Sequence, residues 1–115
     1  MPVPTVSDGT DVFVNMIDTK YGAGTASVVT FHELDGKSVL YGNSLFYTLA
    51  YEAVVEFPEG IKADFEYKSN DDRFFFRVST VPRIVDREKL VFAGKGWITF
   101  SLTPEGWHAP DGNTY

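Results

Sequence analysis

The run of residues 45–57 constrains the fold more than any other part of the chain, because every second residue in it is apolar or aromatic. These residues are Leu45, Tyr47, Leu49, Tyr51, Ala53, Val55 and Phe57. Thr48, Glu52 and Glu56 occupy the opposite parity. A period of two predicts one long strand with a core-facing side and a partly solvated side. It would span about 43 Å, so we expect it to bend or to carry a bulge.

A single helix is predicted ahead of this strand, over residues 11–21. Its apolar residues recur at helical spacing and are Phe13, Met16, Ile17 and Tyr21. Ser7 or Thr10 is the expected N-cap, and Gly22 supplies the stop. Residues 1–7 are expected to form an extended lead-in. The helix is too short to be stable alone, so its apolar stripe must pack on a sheet.

Further strands are predicted where β-branched and aromatic residues recur between turns. They cover residues 26–34, 61–68, 73–79 and 91–102. Asp35 and Gly36 predict a tight turn, and residues 69–72 a polar hairpin loop. Gly94 and Gly96 indicate a bulge or a close backbone approach. A short closing strand near Trp107 then leads into a polar tail over residues 108–115.

These elements predict one α+β domain over residues 1–115, with the helix packed on a curved, mainly antiparallel sheet of five or six strands. The alternative is a β-sandwich or partial barrel with a peripheral helix. In the favoured fold, the residues expected to be buried are Phe13, Ile17, Leu49, Tyr51, Ile98 and Phe100.

Composition excludes several functional classes. A net charge of −6 opposes binding to nucleic acid. No apolar run approaches the ~20 residues of a membrane span. The chain has no Cys, so it has no disulfide, thiol nucleophile or Cys-ligated zinc, and we predict no cofactor. It also lacks the start of a signal peptide, which leaves both a cytoplasmic protein and the mature part of an exported one open.

The candidate catalytic residues are His32 and His108, because their side chains titrate near neutrality. No phosphate-binding loop, nucleophile motif or metal-ligand spacing accompanies them. We therefore favour a surface or structural role for both histidines and predict no metal site.

The candidate ligand-binding residues are aromatic and are expected on the concave face of the bent sheet. They are Tyr47, Tyr51, Phe65, Tyr67, Phe74 and Phe76. We favour the alternative that these residues pack in the core. The two interpretations differ in whether the helix fills the concave face of the sheet or leaves a pocket there.

The long alternating run of residues 47–57 follows the helix, and the last strands contain the pairs Gly96-Trp97 and Gly106-Trp107. This order of elements resembles that of small NTF2-like and cystatin-like α+β domains of uncharacterised bacterial proteins. The resemblance implies a helix on an antiparallel sheet. Such domains include pocketed enzymes, ligand binders and non-catalytic modules, so the resemblance does not assign an activity.

The favoured function is a non-catalytic binding or protein-interaction module, because aromatic residues are abundant and no catalytic set converges. Its partner would be another protein or a small apolar ligand, and self-association through a strand edge to form a homo-oligomer is one form of it. The alternative is a small enzyme or ligand binder with an aromatic-lined pocket on the concave sheet face.

Overall fold

The computed structural model describes residues 2–60, 66–69, 71–78 and 90–115. They form one helix, α1 (Val6–Tyr21), and six strands. The strands are β1 (Ser27–Tyr41), β2 (Ser44–Phe57), β3 (Glu66–Lys68), β4 (Phe74–Val78), β5 (Leu90–Thr103) and β6 (Gly106–His108). The helix packs on one open antiparallel sheet, which confirms the α+β prediction over the sandwich or barrel. The predicted strand residues 61–65 lie outside the described residues.

The strand order in the sheet is β1-β2-β5-β4-β3, and β6 pairs with the end of β5. All neighbouring strands run antiparallel. β1 and β2 form one hairpin, β3 and β4 form another, and β5 lies between them. One face of the sheet is covered by α1, and we call the opposite face the outer face.

The long alternating strand is present, and of the bend or bulge expected in it, the bulge is absent where β2 pairs with β5. β2 pairs with β5 in unbroken register from Phe46 to Phe57. The bulges lie in β1, where Val29 and Leu34 are extra residues relative to β2. A strand of this length is accommodated because the molecule is elongated, with extents of 50 × 23 × 23 Å.

The predicted turn at Asp35 and Gly36 is wrong, because β1 continues through both residues to Tyr41. The chain turns instead at the two residues after Tyr41, where Gly42 has φ 61°. Gly36 serves another purpose. A Cβ at Gly36 would overlap the hydroxyl of Tyr47, so the missing side chain lets the tyrosine lie across β1.

The helix begins earlier than predicted, at Val6, and neither Ser7 nor Thr10 is its N-cap. Thr5 caps it: the Asp8 N–H donates to Thr5 Oγ1 (3.1 Å), and the Thr5 N–H donates to Asp8 Oδ2 (2.9 Å). This reciprocal capping box satisfies two backbone donors one turn upstream of the predicted start, which shortens the lead-in. The predicted end at Gly22 is confirmed.

The core lies between α1 and the inner face of the sheet. The six residues predicted to be buried are all at most 1% exposed, which confirms the core assignment. Six of the seven alternating residues of the long strand are buried, and Leu45 packs against them while partly exposed. The sequence parity therefore fixes which side of β2 faces the helix.

The C-terminal residues fold back on the domain and do not form a loose polar tail. The backbones of Trp107 and Tyr115 exchange two hydrogen bonds, at 2.8 and 2.9 Å. Asp111 accepts hydrogen bonds from the Tyr115 hydroxyl (2.6 Å) and from the side-chain amide of Asn15 on α1 (2.9 Å). Burial and the Asp111 hydrogen bond raise the pKa of Tyr115 to about 12.

Candidate functional site

The aromatic residues proposed from sequence as a ligand-binding set lie on the inner face of the sheet, under α1. Tyr51, Phe74 and Phe76 have no exposed surface, and Tyr47 is 7% exposed. Tyr67 is half-buried, with its ring 5.1 Å from that of Phe74. Phe65 lies outside the described residues.

Phe13 of α1 occupies the space between these rings. Its ring centroid lies 5.2 Å from that of Tyr51 and 5.0 Å from that of Phe76, both in edge-on contacts. The Tyr51 hydroxyl donates to the backbone oxygen of Phe75 on β4 (2.8 Å), and burial raises the pKa of Tyr51 well above its ordinary value. Within the described residues, Phe13 thus fills the space among these rings, and the helix-covered side is open beside Tyr67, where a depression of about 450 Å³ lies between α1 and the end of β3.

The two histidines lie in different parts of the sheet. His32 is exposed on β1 and pairs with Glu52, whereas His108 on β6 pairs with Ser101, whose partner on β2 is Phe46. The β2 residues at these two positions, Glu52 and Phe46, are six residues apart along the strand, which corresponds to about 20 Å. The structure does not bring the histidines together, nor does it place them beside the buried aromatic rings.

Polar contacts on the helix-covered side are few. The Tyr47 hydroxyl donates weakly to Glu33 Oε1 (3.4 Å), and partial burial followed by the Glu33 charge raises the pKa of Tyr47. Among the residues that the structure describes, no three His, Cys, Asp or Glu side chains are placed to hold a metal ion.

The outer face carries an aromatic pair that sequence reasoning did not propose as a site. Trp97 of β5 pairs in register with Ala50 of β2 on one side and Phe75 of β4 on the other. The rings of Phe75 and Trp97 stack with centroids 4.5 Å apart and planes 14° from parallel. The Trp97 Nε1–H donates to the backbone oxygen of Asp72 at 3.4 Å. Trp97 is nevertheless 40% exposed.

A depression of about 580 Å³ lies beside this pair, and we call it the outer-face groove. The side chains that matter for its chemistry are Leu34, Ala50, Phe75, Arg77, Lys95 and Trp97. Leu34, the extra residue of the second β1 bulge, is 51% exposed. The bulge thus places a large apolar side chain at the groove that regular alternation does not predict.

Charge is distributed unevenly at the groove. Arg77 and Lys95 are direct cross-strand partners, and the described residues that line the groove include no acid. Glu52 pairs with Lys95 from the other side, on β2, and lines a smaller depression of about 230 Å³ next to Lys95. Within the described part of the chain, neither Lys95 nor Glu52 takes part in an ion pair.

One sequence signal pointed to this face. Phe75 and Trp97 both stand on the parity opposite to the core residues of their strands, a pattern that is typical of residues on the face away from the core. The sequence does not reveal that β4 and β5 are neighbours or that these two residues share a register. The bulge that brings Leu34 to the groove is also invisible in the sequence.

No protein-family model, no curated protein and no solved structure matches this chain. Among the described residues, no helix is both long enough and apolar enough to cross a membrane.

Proposed function

We propose that this domain is a non-catalytic binding module and that the outer-face groove is its binding site. The observation that carries the proposal is a ligand-sized depression bordered by Leu34 and Trp97, two large apolar side chains that remain 51% and 40% exposed. Small-molecule sites are typically concave, mostly apolar and of a few hundred Å³. The helix covers only the other face of the sheet.

The aromatic wall of the groove is held in place before any ligand arrives. Trp97 is fixed by its stack on Phe75 and by the hydrogen bond to Asp72. A side chain that is already ordered loses less rotamer entropy on binding, which favours affinity. A rigid exposed indole over a depression is therefore better suited to binding than to packing within this chain.

The enzyme alternative requires a pocket on the helix-covered side and polar groups that converge there. Phe13 occupies that side among the buried rings, and His32 and His108 lie about 20 Å apart by register. These observations support the binding module over the enzyme. The resemblance to NTF2-like and cystatin-like domains is a proposal of the same kind, supported by one helix followed by antiparallel strands.

The first test uses N-phenyl-1-naphthylamine, an uncharged aromatic dye whose fluorescence rises in an apolar site. We expect saturable binding to the wild-type protein and at least about tenfold weaker binding to Trp97→Ala, because the variant loses the stacked wall. Val91→Ala is the matched control, since Val91 is exposed on the same strand face outside the groove lining. Equal dye affinity of Trp97→Ala and wild type would overturn the proposal.

A second candidate function, self-association, is favoured by the edge strand β1. Its side chains are exposed over residues 32–41, and from Asp35 to Tyr41 its register with β2 is unbroken. Leu40 and Tyr41 are 69% and 79% exposed. The edge is partly protected, because the side chain of Asp35 accepts a hydrogen bond from the Gly36 N–H (2.9 Å). Open edges of this kind pair readily with another chain.

For this second candidate, light scattering after size-exclusion chromatography is the measurement. We expect a concentration-dependent dimer, and Asp35→Ala is expected to dimerise at lower concentration because it frees the Gly36 N–H for a partner strand. Asp11→Ala removes an equivalent exposed carboxylate from the helix and serves as the control. If wild type and Asp35→Ala are both monomeric at all concentrations, self-association at this edge is ruled out.

A further inference from the structure

We propose that the outer-face groove takes a small amphiphilic anion, in which a planar or branched apolar group is joined to a carboxylate, sulfonate or phosphate. The inference rests on the function proposed for the same groove and names the class of its ligand. Two adjacent cross-strand rows of the sheet carry it, one aromatic and one cationic.

The aromatic row supplies the site for the apolar group. Phe75 and Trp97 are register partners with stacked rings, and Ala50 is the next residue in the same row. A methyl side chain beside an indole leaves room for a ligand against the exposed part of Trp97. Leu34 borders the groove as a second apolar contact.

The cationic row is the next one along the strands on the same face. Lys95 lies two residues before Trp97 on β5, and Arg77 lies two residues after Phe75 on the antiparallel strand β4. Residues two apart on a strand are about 7 Å from each other. The long side chains of Lys95 and Arg77 can bridge part of this spacing, so a ligand whose anionic group is about 4–7 Å from the centre of its apolar group reaches both rows at once.

Lys95 and Arg77 face each other across β5 and β4, so two positively charged residues lie side by side at the groove. An anion between the two side chains is attracted by both charges and can accept a charge-assisted hydrogen bond from each. The guanidinium is suited to two parallel hydrogen bonds with a carboxylate or phosphate.

The acidic positions of the same row are its two outer positions. By register the row reads Glu52, Lys95, Arg77 and Glu66, so the two positive residues occupy the middle positions. Strand spacing of about 4.8 Å places an anion centred over this pair closer to both cations than to either acidic position. This local arrangement contrasts with the whole chain, in which 16 acidic residues outnumber 10 basic ones.

The test compares two dyes that share one ring system. 8-Anilinonaphthalene-1-sulfonate carries a sulfonate, and N-phenyl-1-naphthylamine is its uncharged counterpart. We expect the wild-type protein to bind the sulfonate about tenfold more tightly, as one or two charge-assisted hydrogen bonds would give. The double variant Lys95→Gln/Arg77→Gln should bind the sulfonate no better than the neutral dye, with neutral-dye affinity unchanged.

Lys37→Gln is the matched control. It removes a positive charge from β1 on the outer face of the sheet, outside the groove lining, and is expected to change the affinity for neither dye. If the double variant fails to fold, the single variants Lys95→Gln and Arg77→Gln decide, each with an expected loss of about threefold for the sulfonate dye. Equal affinity of the wild-type protein for both dyes would overturn the anion inference while leaving the binding groove intact. Binding of neither dye would overturn the groove itself.

Discussion

Replacing Phe13 with Ala is expected to lower the free energy of unfolding by about 3–5 kcal/mol. The ring has no exposed surface, and its centroid lies within 5.5 Å of the rings of Phe31, Tyr51 and Phe76. Removing it leaves a cavity at the centre of the contact between α1 and the rings of the sheet. The surrounding rings belong to three different strands, so they cannot collapse easily into that space.

Urea denaturation followed by circular dichroism measures this loss. Phe46→Ala is the control, because Phe46 is a partly exposed phenylalanine of β2 on the outer face. Its expected cost is about 1 kcal/mol or less, since little buried surface is lost. Similar losses for the two variants would contradict the assignment of Phe13 to the centre of the core.

A methyl group at Gly96 is expected to destabilise the domain by about 3 kcal/mol, through overpacking and a lost hydrogen bond. An added Cβ would overlap the backbone oxygen of Phe75 and lie 2.8 Å from the Tyr51 hydroxyl. That hydroxyl donates to the same Phe75 oxygen. One methyl group therefore disturbs both the contact between β4 and β5 and the hydrogen bond from Tyr51 to Phe75. Reduced freedom of the unfolded chain offsets only about 0.4–1 kcal/mol.

Two further variants separate these contributions in the same denaturation experiment. Tyr51→Phe removes only the hydrogen bond and should cost about 1–3 kcal/mol, because the Phe75 oxygen loses its side-chain partner. A Cβ in Gly36→Ala meets the far ends of the Tyr47 and Glu33 side chains and no backbone atom among its nearest neighbours, so about 1 kcal/mol or less is expected. A Gly96→Ala protein as stable as the wild type would show that β4 and β5 do not approach as closely as described.

Parity was the most informative property of the sequence. In the long strand it identified the buried side of β2 residue by residue, from Tyr47 to Phe57, because only one face of that strand meets the core. Gly94 and Gly96 were predicted to mark a bulge or a close backbone approach, and the structure shows the second, because a Cβ at either would overlap a backbone oxygen of β4. The sequence shows the strand period and the missing side chains directly, but it does not show which strand lies against the glycines.

Turn and cap positions were less predictable, because two local solutions competed in each case. Asp35 and Gly36 have strong turn chemistry, yet the chain turns after Tyr41, and Gly36 instead accommodates the Tyr47 ring. Ser7 and Thr10 are both good caps, but Thr5 caps the helix together with Asp8. Tertiary packing determined the position of the turn, and the reciprocal hydrogen bonds of Thr5 and Asp8 determined the position of the cap, because the competing residues have similar propensities.

The candidate site was predictable only in part. The parity of Phe75 and Trp97 is typical of residues on the face away from the core, but the groove depends on which strands are neighbours. β5 follows β4 across residues 79–89, and nothing in the composition of that segment states that β5 returns between the two hairpins. The proximity of Lys95 and Arg77 follows from the same pairing and is equally hidden.

The position of β5 between the two hairpins has a consequence for synthesis of the protein. Both hairpins are complete once residue 78 has been made, yet they are joined through the sheet only by β5, which begins at Leu90. During translation, the edge of β2 that will pair with β5 therefore emerges long before its partner does. Until its last long strand leaves the ribosome, the nascent chain can make strand contacts only within each hairpin, and β5 then joins the two hairpins into a single sheet.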